Sequence, residues 1–394
     1  MINQKEAFQK VLETVKDFGN EVIPLLEATG RILAEDIEAD RDFPPFDRVT
    51  KDGYAINSKA LDEGVTTFEI ESIGAAGSPR AKLENYKNCI EIMTGAVLPE
   101  NTNTIIMYEH TQVKDGKMHI EVPPEKGQNI HLKGGDISKG EIILTKNRRI
   151  SGKEMGVMAA VGKAQVLVKK LPKVCLISTG DELVNIGEQP LPHQIRNSNG
   201  MSLYGALSAE NIYPEFLHLK DEKKQIREKL KAALEENDVL LLSGGVSKGK
   251  FDYLPEIMEE LEVEKIFHRV AQQPGKPLWF GVQNKMGTNV FSFPGNPIST
   301  FVNFHIYFKP WLKKCLNIRP RPQKVQLQKE FENKGDLTRF LLVSIASEEG
   351  VLKASLIGGN GSGDMISLTR ADGIIVVPPK SAILSGSAVE FIAF

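Results

Sequence analysis

Between Val174 and Phe301 an apolar run, a tight turn bearing Gly or Pro, and the start of a helical pattern recur three times. The turns read Ser178-Thr179-Gly180-Asp181-Glu182, Ser243-Gly244-Gly245-Val246-Ser247-Lys248-Gly249 and Pro294-Gly295-Asn296-Pro297. Strands alternating with helices in this way imply a parallel sheet covered on both faces, because each crossover between parallel strands must be long enough to hold a helix. The turns of such a sheet gather at one edge, where glycines let backbone N–H groups approach a ligand and helix N-termini favour negative charge. The pattern predicts an anion-binding crevice.

Apolar runs at Val174–Ile177, Val239–Leu242 and Val290–Phe293 supply the expected strands, with helical patterns at Leu203–Ala209, Lys223–Glu235 and Pro255–Leu261 between them. Upstream, Phe8, Val11, Leu12, Val15 and Phe18 recur at helical spacing and predict an amphipathic helix over Gln4–Phe18, closed by Gly19-Asn20. From Val49 to Thr145 the pattern changes to short strand-like runs, such as Thr67–Ile70 and Thr104–Tyr108, separated by turn residues. A short helix around Glu154–Val161 and a strand at Ala164–Val168 lead to a junction at Leu171-Pro172. Arg319-Pro320-Arg321-Pro322 cannot continue a helix and reads as a linker to a last, β-rich segment with runs at Phe340–Ile345, Ile374–Val377 and Ala388–Ile392, expected to form a small barrel or sandwich.

At 394 residues the chain is too long for one ordinary core. The expected division is an α/β domain from residues 1–20 and 172–319, a connecting domain from 21–48 and 141–171, a mainly β insertion over 49–140, and a β domain over 320–394. A formal net charge of -2 gives no electrostatic case for nucleic acid or an anionic membrane. Cys89, Cys175 and Cys315 are widely spaced and odd in number, which argues against a disulfide framework and for a reducing compartment. No His-x-x-x-His or Cys-x-x-Cys pair marks a structural zinc site, so any metal is expected on oxygen ligands. The polar segment Met1–Lys10 lacks a signal-peptide core, and the expected location is cytoplasmic.

Gly244 to Lys250 nearly matches a phosphate-binding P-loop but fails at Phe251, where Ser or Thr should hold Mg²⁺. The segment is better read as a Gly-rich turn whose N–H groups, with Ser243 and Ser247 beside them, face phosphate, with Asp252 as an adjacent carboxylate; a purely structural turn is the other reading. Asp181 and Glu182 end the first strand, where a carboxylate suits Mg²⁺ shared with a phosphate. Asp181 serves equally well as a helix cap, which leaves Glu182 as the functional candidate. Lys276, fixed in Pro274-Gly275-Lys276-Pro277, is placed to meet an oxyanion or, alternatively, water. Pro294 and Pro297 stiffen the third turn, after which Ser299 and Thr300 could cap a helix.

Together with Pro44-Pro45-Phe46-Asp47, Asp52-Gly53-Tyr54-Ala55 and Ile92-Met93-Thr94-Gly95-Ala96, these segments resemble the molybdopterin molybdenumtransferases, the molybdenum insertases also represented by the C-terminal part of gephyrin. The resemblance covers essentially the whole chain and implies a multidomain α/β protein whose parallel-sheet domain binds nucleotide and pterin. It also implies an enzyme that takes adenylylated molybdopterin and molybdate, inserts the metal and releases AMP with Mg²⁺ assisting. Glu182 and Asp252 would hold that ion, Lys276 would meet the oxyanion, and Asp52, Thr94, Asp221 and Ser362 match further functional positions. A homodimer with a shared site is implied, and a molybdopterin adenylyltransferase is a possible partner. The alternatives are an adenylyltransferase activity, which would consume ATP, and a non-enzymatic dimeric scaffold.

The chain departs from the family pattern at Arg48-Val49-Thr50-Lys51, where Asn-Ser-Ala-Met is usual, and at two single positions. Gln273 stands where a lysine is common, and Leu342 occupies the place expected for an arginine, with Arg339 assigned by strand alternation to the opposite side. Both changes remove positive charge from the expected oxyanion site, for which Lys51 is a candidate compensation.

Overall fold

A computed structural model describes residues 1–220, 222–245 and 253–394. Three of the predicted site residues, Asp221, Ser247 and Asp252, lie outside the described residues, as does the rest of the segment 246–252.

The first helix, α1, runs over Gln4–Glu13, shorter than its hydrophobic pattern. Asn3 caps it by accepting the Glu6 N–H at 2.8 Å, and the Thr14 hydroxyl turns back to the Val11 carbonyl at 2.8 Å. Val15 and Phe18 still pack on the main core, so the apolar spacing persists after the helix has ended. Strand Asn20–Pro24 then pairs antiparallel with Gln165–Lys169, and Ile37–Glu38 pairs with Ile142–Leu144. These pieces share a small core of Leu33, Ile37, Leu144, Ile150, Met158 and Val166.

Between them lies a six-stranded sheet, ordered Thr104–Met107, Gly53–Ile56, Cys89–Ile92, Thr67–Gly74, Lys117–Ile120, Thr111–Lys114. Its strands alternate between two cores: Ala55, Ile90 and Ile105 enter one, while Tyr54, Ile56, Cys89 and Ile106 enter the other.

The α/β domain contains β1 (Val174–Thr179), α2 (Ser198–Ser208), β2 (Glu215–Leu219), α3 (Lys223–Glu236), β3 (Val239–Ser243), α4 (Leu254–Glu260), β4 (Val263–His268), the short β5 (Gln272–Gln273), β6 (Trp279–Gln283), β7 (Thr288–Phe293) and α5 (Pro297–Asn303). The sheet order is β2-β1-β3-β7-β6-β4. Its first four strands are parallel as expected, and β4 at the far edge runs in the same direction, but β6, between β7 and β4, is antiparallel to both. Val174, Leu176, Val239 and Leu241 enter the core beneath α1, α2 and α5, whereas Cys175, Ile177, Leu240 and Leu242 enter the core beneath α3 and α4. Burial on both faces explains why these strands read as unbroken apolar runs.

The C-terminal strands are β8 (Gln323–Leu327), β9 (Thr338–Glu348), β10 (Val351–Leu356), β11 (Gly373–Val377) and β12 (Ala388–Ala393). Their order β9-β10-β8-β12-β11, with β11 returning to pair with β9, closes a five-stranded barrel. The remaining edge of the arrangement is β5, which pairs parallel with β9 and ties the barrel to the α/β domain.

Candidate active site

The crevice begins with strand register. Ser178 of β1 is paired with Ser243 of β3, which is paired with Phe293 of β7, so the three turns leave the sheet side by side. At the β3 turn, Gly244 and Gly245 take φ of +97° and +69°. A Cβ on Gly244 would stand 2.8 Å from the Thr179 hydroxyl, so the second turn packs on the first only because it lacks a side chain there.

The first turn departs from the expected strand-turn-helix order. After Gly180, residues Leu183–Val184 pair with Ile195–Arg196, and the helix starts only at Ser198. Asn197 caps that helix, accepting the Gly200 N–H at 3.0 Å and donating to the Ser178 hydroxyl at 2.7 Å. Asp181 therefore does not cap α2. Glu182 is exposed, and its carboxylate folds over Gly180, where a Cβ would collide with it.

Asn199 joins the other two turns. Its Nδ2 donates to the Ser243 hydroxyl at 2.9 Å and to the Gly295 carbonyl at 2.7 Å. Because that carbonyl can only accept, it fixes which way the carboxamide points. Sequence reading passed over Asn199 as part of a helix start; the available signal was a second Asn two residues beyond the one that caps.

The third turn is braced by the Thr300 hydroxyl, which donates to the Pro294 carbonyl at 2.5 Å, so Thr300 turns back on the turn and leaves the helix end uncapped by its side chain. The free N–H of Ile298 at the start of α5 instead meets the Ser362 carbonyl at 3.1 Å, and Asn296 Nδ2 donates to the Ser362 hydroxyl at 3.0 Å. Ser362 comes from the barrel, so a C-terminal segment closes this side of the crevice.

The lysine turn lies at the same edge. β6 is antiparallel to β7 with Trp279 opposite Ser292, which puts the start of β6, and the Pro274-Gly275-Lys276-Pro277 turn before it, beside the end of β7. A buried amide network sets the turn: Gln272 Nε2 donates to the Pro274 carbonyl at 3.0 Å and to Asn303 Oδ1 at 2.8 Å, and the Tyr307 hydroxyl donates to Gln272 Oε1. Gln272, Asn303 and Tyr307 are fully buried, while Lys276 is exposed and has no ion pair among the described residues.

The structure gives Arg339 a partner on the neighbouring strand. Gln273 and Arg339 are cross-strand partners on β5 and β9, and Arg339 Nη1 donates to Gln273 Oε1 at 3.0 Å. Leu342 packs against the main core. Phe340 and Leu342 enter the main core while Leu341 and Val343 enter the barrel core, so Arg339 lies on the face opposite Leu342, as strand alternation assigns it.

Asp52 and Thr94 meet on the insertion, where the Asp52 carboxylate accepts the Thr94 N–H at 2.6 Å. That bond, with a second from the Thr94 side chain, holds the Asp52 carboxyl below the usual carboxylate range. Among the described residues neither makes a hydrogen bond to the α/β domain of its own chain. The family resemblance assigned both to one site, and the structure brings them together on the insertion.

No group of three or more His, Cys, Asp or Glu side chains suited to a metal occurs among the described residues, a set that does not contain Asp252. Mg²⁺ needs no such cage, since it is commonly held through one or two carboxylates with water and substrate phosphate. The exposed Glu182 carboxylate at a strand end fits that donor set.

Fold and site together define a multidomain α/β protein with an anion-binding crevice, a β insertion and a C-terminal barrel, and comparison with known proteins places it over the whole chain. Residues 2–162 match the MoeA N-terminal region (domains I and II), 175–314 a probable molybdopterin binding domain, and 324–394 the MoeA C-terminal region (domain IV). The molybdopterin molybdenumtransferase of Synechocystis sp. is 37% identical over 100% of both chains, and that of Bacillus subtilis is 34% identical over 95% of this chain and 89% of its own. A molybdopterin biosynthesis MoeA protein from Pyrococcus horikoshii superposes with a TM-score of 0.81 at 31% identity, covering 100% of this chain and 99% of that one. The chain belongs to the molybdopterin molybdenumtransferase family, transferases of molybdenum cofactor biosynthesis.

Proposed function

We propose that this crevice inserts molybdenum from molybdate into adenylylated molybdopterin and releases AMP. The observation that carries the reading is the level alignment of the three turns at the sheet edge, with the Lys276 turn beside the third. Backbone N–H groups of the Gly244–Gly245 turn suit the phosphates, with Ser243 beside them, and Pro294 and Pro297 hold the third turn rigid against α5. Lys276 supplies a cation for an oxyanion, and Ser362 brings a barrel hydroxyl to the same turn through Asn296. Fixed donors of this kind stabilise charge without reorganising during the reaction.

Mg²⁺ would be held by Glu182 with Asp252, and when bound it would neutralise phosphate charge. Asp52 and Thr94 present an ionised carboxylate from the insertion, and Asp221 and Ser247 complete the substrate-contacting set by their resemblance to the family. We assign the assembly as a homodimer in which the insertion of one subunit serves the crevice of the other, and the compartment as the cytoplasm. No described helix is long and apolar enough to cross a membrane.

The test is incubation of the full chain with adenylylated molybdopterin, molybdate and Mg²⁺. AMP release that requires molybdate supports the insertase reading. Consumption of ATP with release of pyrophosphate would support adenylyltransferase activity instead.

A further inference from the structure

We propose that Arg339, steered by Gln273, is a second cation of the oxyanion pocket at the Lys276 turn, donated by the C-terminal barrel. The proposal rests on the insertase reading and adds a ligand-binding residue to it. Gln273 is the last residue of β5 before the turn, and Arg339 stands directly across from it on β9. The bond from Nη1 to Gln273 Oε1, 3.0 Å long, goes to a neutral acceptor. It therefore orients the guanidinium without cancelling its charge.

The guanidinium is otherwise uncompensated. Arg339 is half-buried, has no ion pair among the described residues, and its Nε is buried without a hydrogen-bond partner. A cation that has lost part of its hydration and gained no carboxylate is costly unless an anion shares its position. Lys276, three residues beyond Gln273, is also unpaired, and the buried Gln272–Asn303–Tyr307 network holds the backbone between them. A planar fork and a point charge on one rigid frame suit a tetrahedral dianion. Molybdate and the phosphate of the adenylate share that chemistry.

Calorimetric titration of the full-length chain with inorganic molybdate, and separately with inorganic phosphate, tests the assignment. Arg339→Ala is expected to weaken binding of at least one anion roughly tenfold or more, the usual weight of a charge-assisted contact. Arg339→Lys should recover part of the loss, and Gln273→Ala, which keeps the charge but frees it, should fall between wild type and Arg339→Ala. The anion that responds identifies the occupant. Thermal unfolding checks each variant, and Arg339→Lys carries the test if Arg339→Ala does not fold. Wild-type affinity for both anions in Arg339→Ala, or in Arg339→Lys and Gln273→Ala where the alanine variant does not fold, overturns the proposal, as does a wild-type chain that binds neither. Arg339-dependent anion binding by a chain that releases no AMP would sink the insertase reading and leave the pocket standing.

Discussion

Asn199 Nδ2 lies 2.7 Å from the Gly295 carbonyl oxygen, and through that bond the start of α2 holds the end of β7. The same nitrogen reaches Ser243, so one side chain sets the distance between the Gly-rich turn and the Pro294–Pro297 turn. Its Oδ1 is buried without a partner, a cost accepted to keep the two donors in place. Asn199→Asp replaces the donor with an acceptor facing the carbonyl. The expected result is a loss of about 1–3 kcal/mol in unfolding free energy and a fall in kcat beyond tenfold. Asn199→Ala should lose less stability but a similar share of kcat. A kcat that stays at the wild-type value in both variants, measured by AMP release, removes Asn199 from the site.

The buried amide network predicts a coupling between stability and anion binding. Gln272→Leu leaves Asn303, the Tyr307 hydroxyl and the Pro274 carbonyl each short of a partner in a dry core. Chemical denaturation should show a loss of about 2–4 kcal/mol. In the folded fraction, molybdate titration should show weaker binding, because Lys276 has lost its frame. Stability lost with anion affinity intact would show that the network supports the core alone.

Glu182→Gln keeps shape while removing a charge from an exposed position, so little stability should change. AMP release at saturating Mg²⁺ is expected to drop by roughly a hundredfold if this carboxylate holds the ion. Asp252→Asn should do the same. Unchanged turnover in either variant places the metal elsewhere.

Asp52 supplies a pH test. Its folded-state pKa is depressed first by the Thr94 N–H and then by the Thr94 side chain. A depressed carboxyl contributes stability that is present above the unfolded value, about 3.9, and is lost as pH falls through the lower folded value. Any activity that needs Asp52 ionised should therefore survive below the ordinary Asp range. In Thr94→Val the backbone bond remains and the hydroxyl is gone, so the carboxyl titration followed by NMR should move upward. A titration at the same pH in both proteins would falsify the side-chain contribution.

Local pattern carried most of the α/β domain. β1, β3 and β7 were legible because burial on both faces makes each strand an apolar run, and the third turn was legible because Pro and Gly restrict backbone choice. The reversed β6 and the edge strand β4 beyond it were not, since strand direction and order are fixed by partners far away in sequence. The pairing of Gln273 with Arg339 joins positions in two domains, and no periodicity within β9 encodes it. Asp181 looked like a cap because an apolar run was expected to enter a helix at once, whereas a short ladder intervenes. Ser362 was placed by family resemblance alone, and the structure gives it a physical contact at the third turn.

The last prediction concerns where Asp52 acts. Asp52 and Thr94 bond each other on the insertion, and among the described residues neither is hydrogen-bonded to the α/β domain of its own chain. If two subunits pair about a two-fold axis, each crevice can receive Asp52 from its partner, and the dimer then has two identical shared sites. Mixing inactive Asp52→Ala and Glu182→Ala subunits separates the possibilities. In a shared-site heterodimer one crevice collects both lesions and the other neither, so about half of the wild-type activity returns per mixed dimer. If each site lies within one chain, every crevice keeps one lesion and the mixture stays inactive. Native mass spectrometry establishes that heterodimers have formed; activity that remains absent in their presence confines the site to a single chain.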